Sequence, residues 1–168
     1  ALPICGKVET KEPEKDNTKT IELSDSNFGY KTTFTYDEGE NYSDVEVDTE
    51  SGRTTEIEFD NEDLDLEYEM YYTDMRTATY EDTQKTRSEQ KYYKEYQFGE
   101  YEAYAYGQYS SSLNLNILID TDEDKDMAKV LFVSIERKDA NEEVVVADVV
   151  LDTKVQDFFN SMKVETIS

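Results

Sequence analysis

The sequence predicts an α+β domain built mainly on antiparallel sheet. Three observations carry that class. Apolar and polar residues alternate with period two along most of the chain after Phe28, as in "YKTTFTY" and "TTEIEFD". Short polar stretches rich in Asp, Asn, Ser and Gly punctuate these runs, so that successive strands can return as hairpins. Two segments, one mid-chain and one near the C-terminus, break the alternation and carry helix signals.

Taken in order, "YKTTFTY" puts Tyr30, Thr32, Phe34 and Tyr36 on one face. "DEGENYSD" reads as a turn, "VEV" as a strand, and "DTESGR" as a hairpin turn around Ser51-Gly52. The next strand sets Thr55, Ile57 and Phe59 against Glu56, Glu58 and Asp60. "LDLEYEMYY" sets Leu64, Leu66, Tyr68, Met70 and Tyr72 against Asp65, Glu67 and Glu69. Alternation of this kind marks strands with one buried and one wet face.

"TATYEDTQKTRSEQKYY" loses that period. Thr79 is expected to cap a helix, with Glu81 and Asp82 in its first turn and Arg87 and Lys91 near its end, an order that suits the helix dipole. Its apolar stripe is thin, which places it on the surface. "YQFGEYEAYAYGQY" reads as Tyr-rich strand, and "SSSLNLNILID" as a strand with Leu113, Leu115, Ile117 and Ile119 inward. After the turn "DTDEDKD" comes "MAKVLFVSIE", apolar on both faces and so expected at the centre of a sheet covered on both sides. "VVVADVVL" fits strand and helix equally. "TKVQDFFNSMK" reads as a helix packed on the sheet: Thr153 and Gln156 form a capping box, and Val155, Phe158, Phe159 and Met162 fall at i, i+3, i+4 and i+7.

Composition narrows function. With 41 acidic and 17 basic residues the net charge is -24, which disfavours nucleic acids and anionic membrane surfaces as direct partners. The 14 Tyr and 7 Phe supply the apolar area that a core needs. There is no His, so Ser-His-Asp and Cys-His catalysis are ruled out and the commonest metal ligand is missing. No glycine-rich phosphate loop is present, and there is no Trp to line a glycan-cleaving cleft. The expectation is a non-catalytic protein, with a carboxylate-based hydrolase as the distant alternative. "DTDEDKDMAKVL" spaces Asp120, Asp122, Asp124 and Asp126 like a calcium loop, but Lys125 stands where the loop needs Gly and Leu131 where it needs a bidentate Glu. It is expected to be a solvated hairpin turn, and neither metal nor cofactor is expected.

Two surfaces are candidates for binding. Glu56, Glu58, Asp60, Asp65, Glu67 and Glu69 lie on the wet faces of two successive strands. They are expected to serve solvation, with a face for a basic partner as the alternative. Tyr96, Tyr101, Tyr104, Tyr106 and Tyr109 are expected mainly to fill a half-buried strand face. The alternative is an aromatic platform for a glycan or peptide, since Tyr offers large contact area at low entropy cost.

The start of the chain, "ALPICGKVETKEPEKDNTKT", holds the sole Cys at position 5, followed by Gly6-Lys7 and a polar run. It resembles the N-terminus of a bacterial surface lipoprotein, in which an apolar box ends a signal peptide and the Cys after it is lipidated. That resemblance implies three parts: residues 1–5 as signal end and lipidation site, residues 6–26 as a flexible tether that folding does not require, and residues 27–168 as the domain. A few tether residues near Ile21-Leu23 are expected to dock. It also implies a location on the outer face of the cell membrane of a Gram-positive bacterium, with contact to the membrane only through the lipid. Further on, "FGYKTTFTY", "GEYEAYAYGQY" and "FFNSMKV" make the order of elements similar to the PsbP-like fold. Together these imply a surface binding or accessory module for an unknown protein or glycan. The second function class is an acidic decoy that mimics nucleic acid and occupies basic proteins.

Overall fold

In a computed structural model of the chain, the described residues are 18–37, 43–50, 53–61, 66–107, 112–137 and 153–167. Along these residues run β1 (Thr18–Asp25), β2 (Tyr30–Asp37), β3 (Ser43–Glu50), β4 (Arg53–Asn61), β5 (Leu66–Arg76), α1 (Thr77–Arg87), β6 (Tyr92–Phe98), β7 (Tyr101–Gly107), β8 (Ser112–Asp122), β9 (Met127–Arg137), α2 (Thr153–Asn160) and β10 (Lys163–Thr166). Every strand pairing is antiparallel. One sheet has the order β3-β4-β5-β9-β8-β7-β6, and a smaller one the order β1-β2-β10. The mainly antiparallel α+β class is therefore as the alternation predicts.

The main core is shared by both sheets and α2. Ile21, Leu23 and Phe34 come from the small sheet, Tyr68, Met70, Leu115 and Val133 from the large one, and Val155, Phe158 and Phe159 from α2. The Phe158 ring lies flat on Phe34 with centroids 4.8 Å apart, and Phe159 meets the same ring edge-on at 6.1 Å. The helical spacing of Val155, Phe158 and Phe159 thus becomes the stripe that closes the core. β9 buries side chains on both faces: Leu131, Val133 and Ile135 enter the main core. Ala128 and Val130 pack on the other side with Tyr80 of α1.

Several expectations need correction. Residues 18–25 are not tether but strand β1, because Ile21 (3% exposed) and Leu23 (0%) complete the core opposite α2. Two apolar side chains at period two suffice for an edge strand when the partner strand is already in place. Residues 6–17 lie outside the described residues. The Tyr-rich segment is not one strand but belongs to two, β6 and β7, reversing where Phe98 pairs with Tyr101. Gly99 holds φ +59 there, a backbone conformation that its missing Cβ permits. Thr79, Glu81 and Asp82 do not start α1. The helix begins at Thr77 directly off β5, its N-cap is Arg76 with no side-chain cap, and no acidic residue sits in its first turn. The Thr77 amide donates instead to the Asp126 carbonyl in the β8–β9 turn at 3.1 Å, so a tertiary contact satisfies one orphan donor. Lys91 lies past the helix end. The short β10 on β2 was not foreseen.

"VVVADVVL", Asp65, and the turns around Gly39 and Ser51-Gly52 lie outside the described residues, although Glu50 pairs with Arg53 across the latter. Among the described residues no helix is long and apolar enough to cross a membrane.

Candidate functional site

The tyrosines do not form one platform. In β6–β7, Tyr96 pairs with Ala103, Phe98 with Tyr101, Tyr93 with Tyr106, and Glu95 with Tyr104. Residues directly opposite one another share a face. Tyr96 and Tyr101 accordingly pack on the main core, while Tyr104 and Tyr106 join the cluster under α1. Tyr104 is 0% exposed and Tyr106 7%. The platform reading is corrected for these residues: alternation splits them between two faces and burial takes two out of reach. Tyr109 lies outside the described residues. The Asn116 side-chain amide donates to the Tyr104 hydroxyl at 2.8 Å, and the Arg87 guanidinium sits 4.9 Å over the Tyr106 ring. Burial pushes both phenols above their ordinary range, and pushes that of Tyr96 up to about 12.

The carboxylates are brought together more densely than two wet strand faces require. β4 and β5 pair so that Glu58 stands opposite Glu69 and Asp60 opposite Glu67. The rows extend outward, with Glu46 opposite Glu58 and Asp48 opposite Glu56 on β3, and inward, with Glu67 opposite Glu136 on β9. Neighbouring strands lie about 4.8 Å apart, so the register puts like-charged residue types at directly opposed positions, a pairing that disfavours a sheet. α1 contacts β5, β7 and β9, and Tyr80 is its buried residue.

One aromatic pair adjoins them, and sequence reading missed it. Tyr71 pairs with Phe132 in the β5–β9 register, two residues along β5 from Glu69 and hence on the same face. Their rings sit 5.0 Å apart, and Tyr71 is the one large hydrophobic residue exposed among the described residues, at 40%. The signal was present: in "LEYEMYY" the wet-face series Glu67, Glu69 runs on to Tyr71. It was masked because Tyr72 beside it, and Tyr68 before it, face the core.

A second polar cluster joins the two sheets. The Lys129 ammonium donates to the Phe28 carbonyl at 3.0 Å and lies 4.7 Å over the Tyr30 ring. The Tyr30 hydroxyl donates to Asp120. The Tyr72 hydroxyl is 2.8 Å from both the Leu23 carbonyl and Thr32 Oγ1; donating to the first, it accepts from the second. The segment spaced like a calcium loop makes such contacts instead: Asp120 accepts from the Tyr30 hydroxyl, and Asp122 accepts from the Lys125 amide at 3.3 Å within a hairpin turn. Among the described residues no group of His, Cys, Asp and Glu is placed to hold a metal ion.

These phenols give an alkaline prediction. Burial pushes Tyr72 up to about 12, and burial with the Asp120 hydrogen bond does the same for Tyr30. A folded pKa above the unfolded value near 10 means that the native state holds the proton longer. The stabilisation is full below pH 10 and is lost as pH rises through about 12. The urea midpoint should stay level up to pH 10 and fall between 10 and 12, less steeply in Tyr72→Phe. A wild-type midpoint unchanged at pH 12 contradicts this.

No family model matches this chain, and no curated protein or solved structure matches it either.

Proposed function

We propose that this chain is a non-catalytic binding or accessory module, displayed on the outer face of a bacterial cell membrane and held there by lipid on Cys5. The observation that carries this reading is the sole Cys at position 5, behind Leu2-Pro3-Ile4 and ahead of a polar stretch, with the described fold starting at Thr18. A thiolate is the nucleophile needed to take a diacylglycerol as a thioether. Two or more acyl chains anchor stably, at about 0.8 kcal/mol per buried methylene. Residues 6–17, at roughly 3.5 Å each when extended, allow the domain to stand up to roughly 40 Å from the bilayer. Separation of that order favours a chain of net charge -24 over an anionic lipid surface. The lack of His supports binding over catalysis. The likeness to the PsbP-like fold is part of the same proposal, and it draws support from a sheet with α1 on one face and α2 on the other.

In a bacterial host expressing the encoded precursor, Cys5→Ala should move the protein from the membrane fraction to the supernatant, or stall it unprocessed. Equal membrane retention of the wild type and a processed variant contradicts the anchor.

The decoy reading draws on one observation, the carboxylate rows across β3, β4, β5 and β9. It needs no anchor, so the fractionation experiment separates it from the first.

A further inference from the structure

The large sheet presents two unlike halves on the side where α1 lies. Under α1 the sheet is closed by Tyr80, Tyr104 and Val130. Beyond it, on the same side, Tyr71 is exposed beside the part-buried Phe132, and the carboxylate register positions start at the next residue pair along. We infer that this face docks a Lys/Arg-rich segment of a partner protein, with the Tyr71–Phe132 pair taking a guanidinium or ammonium group on its rings and Glu69 and Glu136 pairing neighbouring cations. The inference deepens the binding-module reading and rests on it.

Three observations lead to a basic occupant. The first is cost. The register sets Glu58 opposite Glu69, Asp60 opposite Glu67 and Glu67 opposite Glu136; like-charged residue types at opposed positions disfavour the sheet, and a cationic partner offsets that cost on arrival. A solvating surface gains nothing from setting its charges in facing rows, because staggered charges hydrate equally well. The second is the exposed aromatic pair itself. Aromatic rings are the favoured anchors of protein interfaces, and their faces attract cations. The molecule already uses that contact elsewhere: Arg87 lies over Tyr106 on this same side of the sheet, and Lys129 over Tyr30. The third is what charge rejects. A nucleic acid or an anionic lipid headgroup meets repulsion from a chain of net charge -24, whereas a basic segment is steered toward it. Strand geometry fits such a segment as well. Alternate residues along β5 repeat every 6 to 7 Å, about the spacing of every second side chain in an extended peptide.

General attraction to an acidic protein is the competing cause, and the test is built to separate the two. The full chain is titrated with a fluorescently labelled decapeptide of Lys, Arg and Gly, and with the same peptide carrying Ser for each cation, at about 0.15 M salt. Tyr71→Ala removes the anchor without changing charge, and circular dichroism checks its fold. Glu69→Lys with Glu136→Lys is compared with Glu123→Lys and Asp124→Lys, an equal charge change in the β8–β9 turn. That turn is roughly 30 Å from Glu136 by the rise of β9. The basic peptide should bind, weakened about tenfold or more by Tyr71→Ala and by the Glu69/Glu136 pair, and much less by the turn pair.

Equal weakening by both charge pairs, or none from Tyr71→Ala, overturns the inference in favour of unspecific attraction. Preference for the Ser peptide overturns it in favour of an uncharged polar partner, and failure of the basic peptide to bind overturns it outright. Each of these leaves the Cys5 anchor to its own fractionation test, so failure of the surface and failure of the lipoprotein reading are told apart.

Discussion

Phe158→Ala is expected to cost about 3–5 kcal/mol, enough to unfold much of the population at ambient temperature where the wild type sits near the 5 kcal/mol end of the ordinary range. The reason is position more than size. Phe158 is 2% exposed and its ring lies against Phe34 of the small sheet, Tyr68 of the large sheet and Phe159 of its own helix. Truncation therefore opens a cavity where three elements meet, and aromatic contacts on each side are lost together. The short α2 (Thr153–Asn160) has little stability of its own without that packing. The measurement is the urea midpoint of variant and wild type followed by tyrosine fluorescence. A loss below about 1 kcal/mol would mean that the site collapses without a cavity, and that α2 does not close the core.

Deleting β1 should be nearly as damaging. A chain starting at Ser26 loses Ile21 and Leu23, each worth about 1.5–3 kcal/mol of burial, and with them the strand that pairs with β2 from Thr18–Asp37 to Asp25–Tyr30. The Tyr72 hydroxyl also loses the Leu23 carbonyl that accepts its proton. Asp25, whose carboxylate accepts from the Asn27 and Phe28 amides at 2.9 and 3.1 Å, leaves the β1–β2 turn unbraced. The expected outcome is a stability lowered by several kcal/mol, read from the urea midpoint, or no cooperative transition. A chain starting at Asn17 keeps β1 and is the control. If the two melt alike, Ile21 and Leu23 do not complete the core, and the tether extends to Ser26 after all.

What the sequence revealed follows from which signals are local. β2, β4, β5, β8, β9 and α2 carry their own periodicity, and their inward residues could be named without knowing the partners: Phe34, Met70, Leu115, Val133 and Phe158 are all buried. β1 was hidden because only Ile21 and Leu23 stand out in "TKTIELSD", and their burial depends on β2 and α2, far along the chain. The start of α1 was misplaced because its first amide is satisfied by Asp126, a tertiary partner that no capping pattern announces.

The candidate surface was half legible. Period two exposed the acidic residues one strand at a time, but their standing opposite one another is a matter of register, which pairing across turns decides. The tyrosines misled because composition counts residues, whereas the pleat distributes them: Tyr104 and Tyr106 went under α1, Tyr96 and Tyr101 to the core, and among the described residues Tyr71 alone stayed open.

The central claim, a binding module held to the membrane through Cys5, meets its most direct test in the mass of the N-terminal peptide from protein extracted with detergent out of cells expressing the encoded precursor. The account predicts a mature chain that begins at Cys5 and carries a diacylglyceryl thioether on its sulfur. A peptide that retains Ala1-Leu2-Pro3-Ile4 ahead of an unmodified Cys5 thiol would contradict it.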